Sequence, residues 1–184
     1  MINYSATLNC FKLFYNPKLC MPNMTVPSFN QIPLPIGSNI KAIVLDKDNC
    51  FAYPYKNEVW PEYIDKWNQL KRQYPDKSIL IVSNSVGSSD DVGYNEAQLL
   101  EKKLGIPVLR HKIKNQDVKM RYWNIFILKI IDNPNQIAIV GDRLFTDVMM
   151  ANLMGAYSVW VKDGVSISDS PISKFEKRLY DFLK

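Results

Sequence analysis

Residues 41–50 read KAIVLDKDNC, a short apolar run that leads directly into two aspartates. A strand that is apolar nearly throughout is typical of a parallel sheet whose two faces are both covered. Residues 137–147 repeat the arrangement as IAIVGDRLFTD, where Asp142 and Asp147 follow a second apolar run. Because open α/β sheets bind ligands at the carboxyl ends of their strands, both segments direct carboxylates to that edge.

Three more short apolar runs predict strands, and segments with helical spacing separate them. The runs are SILIV at 78–82, PVLRH at 107–111 and YSVWV at 157–161. The predicted helices cover residues 60–74, 94–104, 117–131, 146–154 and 173–183. This alternation predicts an α/β fold, a three-layer Rossmann-like sandwich with a mostly parallel sheet of about five strands.

Length and composition fit one folded domain. The chain has 184 residues, of which 47% are hydrophobic and 22% charged, which excludes disordered and fibrous classes. No apolar run approaches the roughly 18–20 residues of a transmembrane helix. The three cysteines form no C-x-x-C pair, which argues against a disulfide framework. The single histidine, His111, excludes Ser-His-Asp triads and two-histidine zinc sites, and packing or hydrogen bonding explains it better than catalysis.

The charge of the chain is basic and unevenly distributed. Lys and Arg number 23 against 18 Asp and Glu, a formal net charge of +5 that favours anionic partners such as phosphate esters, nucleic acid or an acidic membrane surface. Residues 1–45 contain no acidic residue and are rich in proline and aromatic residues. We predict an N-terminal arm over residues 1–40 ahead of a domain over residues 41–184. The arm either packs on the domain, contacts a membrane or serves in targeting.

The polar residues behind the predicted strands each have two explanations. Asp46 and Asp48 repel each other unless a cation or a shared proton relieves them, and Mg²⁺ prefers such oxygens, but a turn or helix cap also uses such a pair. The segment 83–85, SNS, can cradle an oxyanion or form a plain turn. Residues 110–114, RHKIK, offer lysines that can neutralise phosphate charge, or else a solvated basic surface.

The order of these segments is more specific than any one of them. Asp-x-Asp, Ser, Lys and Gly-Asp-x-x-x-x-Asp follow successive strands, which resembles the haloacid-dehalogenase-like phosphatase superfamily across residues 41–162. The resemblance implies that Asp46 is the nucleophile, Asp48 the general acid and base, and Lys114 the catalytic lysine that neutralises phosphate charge. The implied substrate contacts are Ser83, Asn84, Lys114 and Arg143. The implied Mg²⁺ ligands are Asp46, Asp48, Asp142 and Asp147.

A narrower resemblance covers nearly the whole chain. The segments VLDKDNC, LIVSNS, GIPVLRH and VGDRLFTDVMMANLMG, with LFYNPKLCMPN and SKFEKRLYDFL outside them, resemble the mitochondrial phosphatidylglycerophosphate (PGP) phosphatases. This implies Mg²⁺-dependent hydrolysis of PGP to phosphatidylglycerol in cardiolipin biosynthesis, through an aspartyl-phosphate. It also implies a peripheral membrane protein on the matrix side of the mitochondrial inner membrane. Asn115 follows Lys114 where that family tends to have proline, so Lys112 stays an alternative for the lysine.

Short connections predict an uncapped site. Residues 49–59 are too few for a folded cap domain, and residues 85–106 are occupied by one helix and its flanks. An open site suits a bulky substrate such as a lipid headgroup at a bilayer. No zinc spacing, helix-turn-helix signal or aromatic RNA-binding motif is present, so we expect no nucleic-acid partner, and nothing indicates an obligate protein partner. Two alternatives stay open: the same chemistry on a phosphoprotein, nucleotide or soluble sugar phosphate, and a non-catalytic adaptor with a basic surface.

Overall fold

The computed structural model describes residue 13, residues 15–111 and residues 131–184, and one parallel sheet organises this part of the chain. Its five strands are β1 (Met24–Val26), β2 (Ala42–Asp46), β3 (Ile79–Val82), β4 (Ile137–Gly141) and β5 (Tyr157–Val161). They lie in the order β1-β5-β4-β2-β3, and every neighbouring pair is parallel. The predicted α/β class is therefore confirmed.

Helices occupy most of the predicted helical segments. The α-helices are α1 (Ile64–Gln73), α2 (Asn95–Leu104), α3 (Met149–Met154) and α4 (Pro171–Leu183). Short 3₁₀ turns cover Pro17–Cys20, Phe29–Gln31, Pro61–Tyr63, Asp76–Ser78, Val92–Tyr94 and Pro134–Gln136. The segment predicted as one helix over 146–154 instead begins with a π-helical turn, Leu144–Val148, that continues into α3. The helix predicted over 117–131 falls almost entirely outside the described residues.

The prediction of a strand over residues 107–111 is wrong, because this segment forms only a single parallel bridge, between Val108 and Ile81. The Ile81 N–H donates to the Pro107 carbonyl at 2.9 Å, and the Leu109 N–H donates to the Ile81 carbonyl at 2.9 Å. Pro107 has no N–H group of its own to extend a ladder. At the other end, the His111 N–H donates to the Gly87 carbonyl at 2.8 Å, so the segment leaves the sheet for a loop.

The described part of the predicted arm builds sheet and core. Strand β1 lies at the edge beside β5, and the sequence analysis missed it because it has only three residues between prolines. Phe29 is fully buried, with its ring centroid 5.6 Å from that of Tyr63. The proposed boundary between residues 40 and 41 stays a prediction.

Alternate strand residues face two separate cores, which confirms the three-layer arrangement. Ile43 and Leu45 of β2 belong to one apolar cluster, which also contains Trp67 of α1. Val44 belongs to the opposite cluster, with Met150 of α3. None of the helices within the described ranges is long and apolar enough to cross a membrane.

Candidate active site

Three carboxylates converge at the carboxyl edge of the sheet. Asp46 is the last residue of β2, Asp142 follows the neighbouring strand β4, and Asp147 lies on the π-helical turn after it. One carboxylate oxygen of each residue lies within 4.8 Å of the other two. Carboxylate oxygens at this spacing are the donors that Mg²⁺ uses, so the residues present fit the cation that the sequence implies.

Gly141 makes room for one of these acids. A Cβ atom at position 141 would overlap the carboxyl group of Asp147. That carboxyl group is held in place, since its Oδ2 accepts the Arg143 N–H at 3.1 Å and its Oδ1 accepts the Thr146 hydroxyl at 3.3 Å. The glycine of the Gly-Asp motif is therefore a steric requirement of the third carboxylate.

We expect Gly141→Ala to weaken binding of a divalent cation, because the new methyl group must displace the Asp147 carboxylate. Loss of an orienting contact at a metal site typically costs about 10–100-fold in affinity, and we expect a shift of that size. Isothermal calorimetry with Mg²⁺, and the Mg²⁺ concentration for half-maximal phosphate release, measure it. Gly37→Ala is the matched control, because its Cβ would meet nothing closer than 3.4 Å. An unchanged Mg²⁺ affinity in Gly141→Ala would contradict the steric argument.

Asn49, which the sequence analysis passed over, orients a second acid. Its Nδ2 donates to Asp142 Oδ2 at 2.9 Å, while its Oδ1 accepts the Ser166 N–H at 3.0 Å. The backbone of Asn49 is left-handed, with φ of 61°, a conformation that asparagine tolerates. A Cβ atom at Gly164 would overlap Asn49, so the loop after β5 packs closely against this residue. The only signal in the sequence was its place directly after Asp48.

Asp142 is a partly buried acid whose charged form a nearby cation would stabilise. Loss of water around its carboxyl group raises the pKa of Asp142, and the hydrogen bond from Asn49 and the charge of Arg143 offset this only in part. A raised pKa means that negative charge on Asp142 is poorly compensated by the protein alone. This supports the assignment of the cluster to a cation site.

The Asp48 carboxylate is bound by a different set of partners. Its Oδ2 accepts the Ser85 hydroxyl at 2.5 Å and the Ser83 hydroxyl at 3.2 Å. Its Oδ1 accepts the Tyr55 N–H at 2.8 Å and the Lys47 ammonium at 2.5 Å. Burial raises the pKa of Asp48, but the hydrogen bonds from Lys47 and Ser85 outweigh it, so the net pKa is below the ordinary value. The role of Asp48 as a metal ligand stays a prediction.

Lys47, also missed, is a fully buried lysine between the two motif aspartates. Its Nζ donates to Asp48 and, at 3.1 Å, to the Lys56 carbonyl. A buried ammonium group is costly unless it is paired, so Lys47 and Asp48 depend on each other. The only signal in the sequence was its place between Asp46 and Asp48, directly after the apolar run of β2.

The residues after β3 lie at the same carboxyl edge of the sheet. Ser83 is buried and its hydroxyl faces Asp48, whereas Asn84 is exposed. The ring Nε2 of His111 donates to the Ser83 carbonyl at 2.9 Å, which confirms the hydrogen-bonding role expected for this histidine. Lys112 and Lys114 lie outside the described residues, so the phosphate-neutralising lysine stays a prediction.

Glu176 on α4 connects the C-terminal helix to the π-helical turn that carries Asp147. Its Oε1 accepts the Phe145 N–H at 2.9 Å, and its Oε2 lies 3.5 Å from Nε of the half-exposed Arg143. Burial raises the pKa of Glu176 to about 7, against the opposing hydrogen bond from Phe145 and charge of Arg143. No sequence pattern indicated this residue, because a glutamate at this position is typical of the polar face of an amphipathic helix.

The raised pKa of Glu176 predicts a pH-dependent stability. Its ordinary value is 4.5 and its folded value about 7, so the folded state binds the proton more tightly than the unfolded chain. This stabilisation is complete below pH 4.5 and is lost as the pH rises through 7. Glu176→Gln has no such titration, so the parent's free energy of unfolding should fall relative to the variant's by about 3 kcal/mol across that window.

Urea unfolding of both proteins over this pH range, with a chelator present, measures the difference. The chelator keeps cations away from the neighbouring acids. Parallel pH profiles for parent and variant would show that Glu176 does not titrate in this way.

Comparisons with known proteins agree with this geometry. The family model described as mitochondrial PGP phosphatase matches residues 4–166. The chain is 53% identical, over 99% of both chains, to the mitochondrial phosphatidylglycerophosphatase GEP4 of Saccharomyces cerevisiae. It is 33% identical to the probable mitochondrial phosphatidylglycerophosphatase of Schizosaccharomyces pombe, over 98% of this chain and 92% of that one. A more distant relative is the probable phosphatase YqeG of Bacillus subtilis, at 25% identity over 79% of this chain and 80% of that one. No solved structure matches the chain significantly.

Proposed function

Because the chain belongs to the mitochondrial PGP phosphatase family, we propose that it hydrolyses phosphatidylglycerophosphate to phosphatidylglycerol in mitochondria. One observation carries the proposal: Asp46, Asp142 and Asp147 converge at one edge of the sheet, with Asp48 held beside them. This arrangement supports the proposal of a nucleophile, a proton donor and a cation site within one small region. Clustered carboxylates of this kind are typical of catalytic sites, which favours an enzyme over a non-catalytic adaptor.

Asp46 and Asp48 have separate roles in the proposed reaction. An oxygen of Asp46 attacks the phosphorus, the bond to the glycerol oxygen breaks, and Asp48 gives its proton to that oxygen as it leaves. Water then attacks the phosphorus of the aspartyl-phosphate while Asp48 takes its proton. Phosphate leaves, and Asp46 is again a free carboxylate.

Asp48 needs a proton before the first step. Its low pKa makes it anionic in the free enzyme. A phosphate dianion beside it favours the protonated form, because two negative charges at short distance repel. The hydroxyls of Ser83 and Ser85 hold Asp48 in place in either state.

The proposed cation is Mg²⁺, which Asp46, Asp142 and Asp147 would hold. When bound, it supplies positive charge that compensates the carboxylates and the phosphate. We also propose that Lys114, or Lys112 in its place, neutralises phosphate charge. The expected setting is the matrix side of the inner membrane, with peripheral attachment and without an obligate protein or nucleic-acid partner.

A substrate panel tests the proposal. Phosphate release is measured from PGP in vesicles, a phosphopeptide, a nucleotide, a sugar phosphate and an aryl phosphate, each with Mg²⁺ and with chelator. We expect PGP to be the preferred ester and turnover to require Mg²⁺. Asp46→Asn, prepared in parallel, controls for contaminating phosphatases. If a soluble ester were hydrolysed much faster than PGP, that ester and not the lipid would be the substrate, and the proposal would fail.

A further inference from the structure

Large apolar side chains are exposed mainly at the edge of the molecule that carries the catalytic acids. Ten such side chains are exposed within the described ranges. Six lie in loops or first helical turns that follow the carboxyl ends of strands, and a seventh, Phe175, packs its ring 5.9 Å from that of Phe145 near Asp147. The seven, called here the apolar rim, are Tyr53, Tyr55, Ile64, Val92, Ile167, Ile172 and Phe175.

Hydrogen bonds connect the segments of the apolar rim to the site on two sides. On one side, the backbone of Tyr55 donates to Asp48, and a hydrogen bond between Asn57 and Glu96 joins this loop to the start of α2, next to Val92. On the other side, Ser166 donates to Asn49, and the next residue, Ile167, is 73% exposed. The exposed side chains therefore flank the catalytic carboxylates.

The chemistry of this edge suits a bilayer surface. A cavity of about 260 Å³ beside the loop that holds Asp48 is lined by Tyr53, Lys56, Glu58, Val59, Trp60 and Pro61. Tyrosine, tryptophan and lysine side chains combine apolar bodies with polar ends and favour the membrane–water interface. The net charge of +5 belongs to the whole chain, so it attracts the protein to anionic lipids without selecting this edge.

We propose that the apolar rim docks on a phospholipid bilayer, with the catalytic carboxylates facing the membrane. The inference rests on the proposed function, because a lipid whose acyl chains stay in the bilayer presents its phosphate only at the surface. The uncapped site that the sequence predicts can reach such a phosphate only when it faces the headgroups. Exposed apolar side chains grouped around the site supply this contact, because grouped apolar exposure on a folded domain marks protein or membrane interaction sites.

The test compares two double variants. Val92→Gln with Ile167→Gln changes highly exposed side chains on both sides of the rim, and neither side chain is part of the catalytic machinery. Leu99→Gln with Phe182→Gln is the matched control, because both side chains are exposed but lie outside the rim. Binding is measured by co-sedimentation with vesicles of phosphatidylcholine and a minority of phosphatidylglycerol, without substrate. Turnover of a soluble aryl phosphate checks that each variant is intact.

We expect the rim variant to lose vesicle binding by about tenfold or more, as removal of two inserted apolar side chains implies, while the control binds like the parent. Equal binding by the rim variant and the parent, or equal losses in both variants, would overturn the proposal. A second copy of the chain is the other possible occupant. If sedimentation shows that the rim variant dissociates an oligomer while vesicle binding is unchanged, the rim is a self-association surface and the proposal fails.

The design separates this inference from the proposed function. Vesicle binding is measured without turnover, so it remains informative if the substrate is not PGP. Failure of the parent to hydrolyse PGP in detergent micelles as well as in vesicles counts against the proposed function alone. Hydrolysis in micelles by a rim variant that no longer binds vesicles supports both.

Discussion

Replacing Asp46 by Asn is expected to abolish phosphate release, with a loss of at least about a thousandfold. The amide is a poor nucleophile and cannot form the aspartyl-phosphate, while its similar size keeps the end of β2 intact. Asp46 also contributes to the cluster with Asp142 and Asp147, so the change removes one negative charge there. The rate of phosphate release from PGP, at saturating Mg²⁺, measures the effect.

Acid quench and mass spectrometry provide a second readout of the same prediction. The parent should carry a phosphoryl group on the peptide that contains Asp46, and the variant should not. Asp169→Asn is the matched control, since that carboxylate is exposed and forms an ion pair with the exposed Lys174 at 3.0 Å. A folded Asp46→Asn protein that turns over at the parent's rate would refute the proposed nucleophile.

Replacing Asp48 by Asn should slow hydrolysis of PGP by about 10²–10⁴-fold, because the glycerol oxygen then leaves without a proton. An aryl phosphate has a leaving group that needs no proton, so its first step should be affected far less. The second step still lacks its base, and aryl phosphate should therefore give a burst of product followed by slow turnover. Stopped-flow measurement of both esters distinguishes the two steps.

The buried Lys47 complicates this variant and suggests its control. Asp48→Asn leaves the ammonium group of Lys47 without its carboxylate partner, which is destabilising in a buried position. The double variant Lys47→Met with Asp48→Asn removes the uncompensated charge and should recover stability without recovering activity. Equal losses in the rate of the first step, measured as the burst, on alkyl and aryl esters in both variants would argue against a general acid at Asp48.

The strands were predictable where their signal is local. The near-continuous apolar runs behind β2, β3, β4 and β5 reflect burial on both faces of the sheet, a property that each short segment carries by itself. Strand β1 was not predictable, because three residues show no pattern and their partner β5 lies far along the chain. Residues 107–111 have the composition of a strand, but hydrogen bonding to the Gly87 loop takes their end away from the sheet.

The candidate site divides in the same way. Parallel strands place their carboxyl ends at one edge, so the order of the motifs was enough to bring Asp46, Asp142 and Asp147 together. It did not show that Asp48 would be held by Ser85 and Lys47. Those contacts depend on how the loops after β2 and β3 pack against each other.

Amino-acid order alone therefore established the α/β class, the family and the acids that meet at the edge of the sheet, because periodicity and motif succession are written along the chain. The roles of Asn49, Glu176 and Gly141 emerged only from the folded molecule. Asn49 and Glu176 each contact a residue from a distant segment of the chain. Gly141 lies against Asp147, which a turn folds back onto it. Hydrogen-bond geometry and steric exclusion between such segments exist only after the chain has packed, and no local pattern encodes them.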